Sequence, residues 1–154
     1  MVVHQISTHW MGKMQFNSLI NGHVIVMDAP PRSGGEDNGP IPKPFILSAL
    51  SGCTGMDVIA LLRKSDLTLG NMEIGVTGEL SKQPPYQYVA IHILFTITAE
   101  PEMVDQVLEA IADSQEKFCG VSSMLKKVMP VTWEVKFNGI TGFNNNPAAL
   151  ISHN

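Results

Sequence analysis

The sequence is short of the features by which many functions show themselves. Charged residues fill only 16% of its 154 positions, the net charge is −4, and only two arginines occur, Arg32 and Arg63. With no basic stripe to follow a phosphate backbone, nucleic acid is not an expected partner. Cysteine is as scarce: there are two, Cys53 and Cys119, 66 residues apart (119 − 53). That spacing makes neither a CxxC redox pair nor a zinc-ligand motif. No GxSxG elbow, no GxxxxGK[ST] phosphate loop and no GxGxxG after a strand is present, so hydrolase, NTPase and dinucleotide readings lose their usual support. "SGGEDNG" (33–39) is glycine-rich but precedes no immediate helix start, which makes it a weak phosphate cradle. The histidines at 4, 9, 23, 92 and 153 include none with a second ligand at helical i, i+4 spacing, so structural or solvated roles are expected of them. Nor does "MVVHQISTHW" read as a signal peptide, because a basic start and an apolar run are missing. The expected setting is a reducing cytoplasm, where two cysteines are no structural staple.

What is present is enough apolar sequence, 44%, for one folded domain with a substantial core. Its N-terminal part predicts strands: Met14, Phe16, Ser18 and Ile20 lie on one face, and "HVIVMD" follows the turn pair Asn21-Gly22. Ala29 to Pro44 is a long Gly/Pro-rich loop, of the kind that is often functional or mobile. From Pro44 to about Lys64 the pattern is helical and apolar on nearly every face. Such a helix, roughly 30 Å long, should be wrapped by protein on all sides. It is long enough to suggest a membrane span, but a central Asp57 argues for a buried core helix instead. Strands "NMEIGVTGEL" (71–80) and "YVAIHILFTIT" (88–98) come next, with His92 on the less apolar face. An amphipathic helix opens at Pro101 and stops near Cys119-Gly120, "VSSMLKKV" is a short third helix with Ser122 as its N-cap, and "VTWEVKF" is a last strand. The predicted order is βββ-α-ββ-αα-β, an α+β fold in one domain over 1–138, with 139–154 a tail that is loose or docked on a neighbour. Cover for the central helix comes either from the subunit's own sheet and second helix or from a second copy in a homodimer.

Two thiols remain to be placed. Cys53 sits mid-helix among Ser48, Ser51, Gly52, Thr54 and Gly55, and each interior glycine costs roughly 0.8–1 kcal/mol against alanine. The small residues either permit close packing around an inert thiol or leave space beside a reactive one. Cys119, where one helix ends and another begins, is expected to be semi-exposed and near a partial positive charge, or else a buried thiol at a helix end.

"GPIPKPFILSALSGCTGMDVIALLRK" (39–64) followed by "SQEKFCGVSSML" (114–125) resembles the OsmC/Ohr family, the osmotically inducible and organic-hydroperoxide-resistance proteins. "VIVMDAPPRSGGEDNGPIP" (24–42) is similar to an OsmC-like branch, and the resemblance runs over about residues 8 to 137. It implies an intertwined homodimer, in which central helices are wrapped by curved sheets from both chains. It further implies a thiol peroxidase needing no metal, haem or other cofactor. Cys53 would be peroxidatic and Cys119 resolving, with a dithiol, such as a lipoylated protein, as reductant.

The sequence also departs from that family. Its peroxidases hold the first cysteine as a thiolate with an arginine from the N-terminal strands and a glutamate in the first turn of the central helix. Here Gln15 stands where the arginine is expected and Lys43-Pro44 where the glutamate is. Arg32, Glu36 and Lys43 are candidate replacements for the activating or orienting charge. The alternative is an OsmC-like small-molecule-binding or stress protein with little or no peroxidase activity.

Overall fold

The computed structural model describes residues 2–146. Met1–Ile46 and Leu47–Asn154 form two compact units.

Asn21 and Gly22 both take positive φ, 49° and 83°, the backbone that a two-residue hairpin turn requires. They join β2 (Gln15–Ile20) to β3 (His23–Met27), and β1 (Ser7–Gly12) completes a three-stranded antiparallel sheet in the order β1-β2-β3. The loop that follows is wound around one carboxylate. Asp28, 3% exposed, accepts backbone N–H bonds from Ala29 (2.8 Å), Glu36 (3.0 Å) and Asn38 (3.1 Å). Gly35 passes so close to the Ala29 carbonyl that no side chain fits there. Burial opposes the charge on Asp28, but the N–H groups of Asn38, Ala29 and Glu36 and the nearby Lys13 ammonium outweigh it. The carboxyl therefore sits below the usual aspartate range.

Helix α1 (Phe45–Lys64) starts one residue after the predicted Pro44. The second sheet has the order β4-β5-β6-β7, from β4 (Asn71–Leu80), β5 (Tyr88–Thr98), β6 (Val131–Phe137) and β7 (Ile140–Asn144). β5 and β6 run parallel, so their connection must cross over, and it carries α2 (Val104–Asp113) and α3 (Gly120–Lys126). The predicted alternation of β5 holds: Ile91, Ile93, Phe95 and Ile97 are buried, against Val107 and Ile111 of α2 and Leu50, Val58 and Leu62 of α1 in one core.

One reading of the sequence needs correction. β7 lies inside the segment assigned to a tail. Asn138 and Gly139, at φ 51° and 86°, turn the chain back from β6, and Phe143 stacks on Trp133 with ring centroids 4.2 Å apart. A short strand with three exposed residues carries too little alternation to be read from sequence; 147–154 lie outside the described residues. Of the two sources of cover left open for α1, the second sheet and α2 supply one stripe. Only Leu50, Thr54, Val58 and Leu62, one stripe at four-residue spacing, are buried, while Ile46 and Met56 are 43% and 76% exposed. Gly55 explains the close approach on the covered side: a Cβ there would lie 3.0 Å from Ile74 Cδ1 on β4. Gly52 faces open space.

Candidate functional site

Four-residue spacing places Cys53 and Asp57 one turn apart on the same side of α1. Cys119 reaches them from the junction between α2 and α3. Past Asp113 the chain does not continue as an α-helix but makes a π-helical turn, Ser114–Phe118, closed by Cys119 N–H to Ser114 O at 2.8 Å. Such turns often mark functional positions. This one ends with Cys119 in extended backbone as the N-cap of α3, its sulfur accepting the Ser122 N–H at 3.4 Å. Ser122, expected as the cap, is thus the third helical residue and the donor. Cys119 is also not semi-exposed: 2% of it is accessible, whereas Cys53 is half-buried.

A buried polar relay fixes the Cys119 side. Gln115 Nε2 donates to Thr54 Oγ1 (3.0 Å), and the Thr54 hydroxyl, its oxygen so engaged, donates its own hydrogen to Cys119 Sγ (3.4 Å). The other end of the Gln115 amide accepts from Ser122 Oγ at 2.9 Å. Lys126 Nζ donates to the Gln115 carbonyl at 2.9 Å and pairs with Glu116 at 2.7 Å. Thr54, Ser114, Gln115 and Ser122 are each no more than 3% exposed, so every one of these polar groups needs the partner it has. Ser114 Oγ, in turn, donates to Asp57 Oδ2 at 3.3 Å.

The two sulfurs and an Asp57 carboxylate oxygen all lie within 4.8 Å of one another. Electrostatics at Cys53 run against ionisation. Burial, the hydrogen bond with the Cys119 thiol and the charge of Asp57 push its thiol above the usual range, and the Val121 N–H that bonds to it does not compensate. Chemically, the pair can act as a dithiol that closes to a disulfide, since the separation is within the reach of side-chain rotation.

Of the residues singled out from sequence, the structure brings Cys53 and Cys119 together. The others belong to the N-terminal unit. The Gln15 amide donates to Asn17 Oδ1 (3.0 Å) and accepts from Asn38 Nδ2 (2.9 Å). Arg32 lies in a single 3₁₀ turn, Pro31–Ser33, Glu36 is ion-paired with Lys13, and Lys43 precedes α1. Thr54, Asp57, Ser114 and Gln115 were not recognised as site residues. A Cys-x-x-x-Asp spacing on a helix was the available signal for Asp57; nothing in the linear sequence joins Gln115 to Thr54.

Residues 34–134 match the family described as OsmC-like protein. The chain is 30% identical over 129 residues to Protein YhfA of Escherichia coli, covering 83% of this chain and 93% of that one. A solved structure described as a hypothetical protein from Aquifex aeolicus superposes with a TM-score of 0.72 at 25% identity, over 90% of this chain and 99% of the other. An organic hydroperoxide resistance protein OsmC from Legionella pneumophila shares the fold at 13% identity, with a TM-score of 0.65 over 88% and 97% of the two chains. With the α+β element order and the paired thiols in place, the chain belongs to the OsmC-like family.

Proposed function

We propose that this chain is a thiol-dependent peroxidase that reduces hydroperoxides in oxidative stress defence, with Cys53 peroxidatic and Cys119 resolving. The observation that carries the reading is the approach of a half-buried thiol on α1 to a buried one at the α3 cap, within 4.8 Å. The names of similar proteins as organic hydroperoxide resistance proteins support it.

Cys53, the more accessible sulfur, attacks the terminal oxygen of ROOH as a thiolate. The O–O bond breaks, the alkoxide leaves as an alcohol after protonation, and Cys53 becomes a sulfenic acid. Cys119 then attacks the Cys53 sulfur, hydroxide leaves as water, and a disulfide forms. A dithiol, such as a lipoylated protein, restores both thiols by exchange and is itself oxidised to a disulfide. Because its surroundings raise the Cys53 pKa, the first step needs an activating cation. Arg32 and Lys43 supply that charge in this proposal, with Gln15 and Glu36 orienting the loop that carries them. Turnover belongs in a reducing compartment, the cytoplasm.

The working unit is a homodimer. Met56 on α1 and Trp10, Phe16 and Val24 on the N-terminal sheet are 76%, 66%, 41% and 60% exposed, more apolar surface than an isolated subunit ordinarily leaves open. Met56→Asp therefore converts the dimer to monomer in sedimentation; a monomeric unmutated chain at micromolar concentration would contradict this.

The raised Cys53 pKa favours one second reading, an OsmC-like protein that binds a small molecule and turns over little or no peroxide. Consumption of an organic hydroperoxide with a dithiol reductant decides between them. Loss of consumption in Cys53→Ser, and a stoichiometric sulfenic acid in Cys119→Ser by intact mass, support the peroxidase. Equal consumption by Cys53→Ser and the unmutated chain removes it.

A further inference from the structure

Cys53, Asp57 and Cys119 offer three donor atoms, two sulfurs and one carboxylate oxygen, that converge from two helices to within 4.8 Å of one another. Two thiols close together are accounted for by disulfide chemistry. The carboxylate is not: an Asp57 oxygen lies within 4.8 Å of both sulfurs, a distance at which like charges repel, and sulfur exchange has no use for it. A divalent cation reverses that relation. Two thiolates and a carboxylate repel one another in the absence of metal, and all three become stabilising once they share a positive ion.

The geometry points to a soft divalent-metal site: we infer that the reduced chain binds one Zn²⁺ through Cys53 Sγ, Cys119 Sγ and an Asp57 carboxylate oxygen, with a fourth position left for water. A tetrahedral zinc centre with metal–sulfur bonds of about 2.3 Å and metal–oxygen bonds of about 2.0–2.2 Å sets donors roughly 3.5–3.8 Å apart. Closing from 4.8 Å or less takes a shift on the order of 1 Å per pair, which side-chain rotation supplies. Two-sulfur, one-oxygen donation selects zinc-like cations over magnesium or calcium, which take oxygen ligands.

An outer shell is already built around two of the three donors. Ser114 Oγ holds Asp57 at 3.3 Å, and Thr54 Oγ1 and the Ser122 N–H each hold Cys119 Sγ at 3.4 Å. Metal ligands are oriented by just such hydrogen bonds, and these leave each donor a lone pair for the ion. The linear sequence conceals the site because Cys119 comes from 66 residues beyond Cys53 (119 − 53), and Asp57 has no ligand-rich neighbour.

The site stands whether or not the thiols turn over peroxide. If they do, zinc occupies the lone pairs that Cys53 would use for attack, so the ion shields the reduced form. Disulfide formation then takes two electrons from the sulfurs to the peroxide, consumes two protons from solvent, yields alcohol and water, and releases the ion.

Anaerobic titration of the reduced full-length chain with Co²⁺ tests the assignment without any peroxide. One equivalent should produce an intense thiolate-to-cobalt charge-transfer band with tetrahedral d–d absorption, bleached by Zn²⁺ and untouched by excess Mg²⁺. Cys53→Ser and Cys119→Ser should each lose most of that band. Asp57→Asn should weaken binding by about 10-fold or more. Asp57→Cys, which keeps a ligand, should retain the tetrahedral spectrum with a stronger charge-transfer band. Far-UV circular dichroism separates a lost site from a lost fold. No charge-transfer band in the unmutated chain, or an unchanged affinity in folded Asp57→Asn, overturns the proposal. A chain that binds cobalt in this way but consumes no hydroperoxide sinks the peroxidase reading alone, and the reverse result sinks this one alone.

Discussion

Two aspartates, Asp28 and Asp57, face opposite circumstances in this molecule. Asp28 accepts three backbone N–H bonds of 2.8–3.1 Å with Lys13 close by, and its carboxyl is held below the usual range. Asp57 accepts a hydrogen bond from Ser114 Oγ at 3.3 Å and stands within 4.8 Å of two sulfurs, where its charge resists ionisation of Cys53. The first carboxylate is used up in shaping a loop. The second lies within 4.8 Å of both sulfurs. Saturation of a carboxylate by main-chain donors marks a structural role, whereas one set beside paired thiols is the candidate for a chemical role.

Substitutions can separate the two roles. Cys53→Ser should lower hydroperoxide consumption by roughly 100-fold or more, as loss of a nucleophile does, while leaving the melting temperature nearly unchanged. Asp28→Ala should do the opposite to the fold: three N–H donors lose their acceptor, and the thermal midpoint falls by several degrees. If Asp28→Ala melts like the unmutated chain, the loop is held by something else. Thr54→Val strips Gln115 Nε2 of its acceptor and Cys119 of a donor in a buried place, for about 1–3 kcal/mol of stability measured by denaturant unfolding.

Smaller effects sharpen the contrast. Asp57→Asn removes a charge that raises the Cys53 pKa, so with a chelator present iodoacetamide alkylation near pH 7 should speed up several-fold and its pH midpoint should fall. An unshifted midpoint would show that Asp57 does not reach Cys53 electrostatically. Asp28 gives the subtlest signal. Its folded pKa is below the unfolded value of about 3.9, so its charge stabilises the fold in full above that value. As pH falls through the lower folded pKa that contribution disappears, and the difference in melting point between Asp28→Asn and the unmutated chain should shrink there.

Much of the scaffold could be read from residue order because its signals are local. Alternation at Ile91, Ile93, Phe95 and Ile97 and the Asn21-Gly22 turn are periodicities and dipeptides, and the structure keeps them. β7 escaped because the Asn138-Gly139 turn leads into a five-residue strand with little pattern. The thiols were legible through their contexts. The relay was not, since Gln115, Thr54 and Ser122 meet only when α1 packs against the α2–α3 junction, and polar residues inside helices look like surface positions in a linear reading. The sequence left Cys119 either semi-exposed or buried for the same reason: its exposure depends on α1, 66 residues earlier (119 − 53).

The π-helical turn Ser114–Phe118 has an evolutionary consequence. It fits one residue more into its span than an α-helix would, so it behaves as a tolerated single-residue insertion. Deleting that residue would leave a continuous helix and an intact cysteine, yet would swing the thiol by roughly 100° around the helix axis. Descendants of such a chain would retain the family's fold and both cysteines in sequence while losing the pairing of the thiols in space. In alignments of relatives, a one-residue gap in this short segment is therefore a more telling mark of lost thiol pairing than the presence of both cysteines is of its survival.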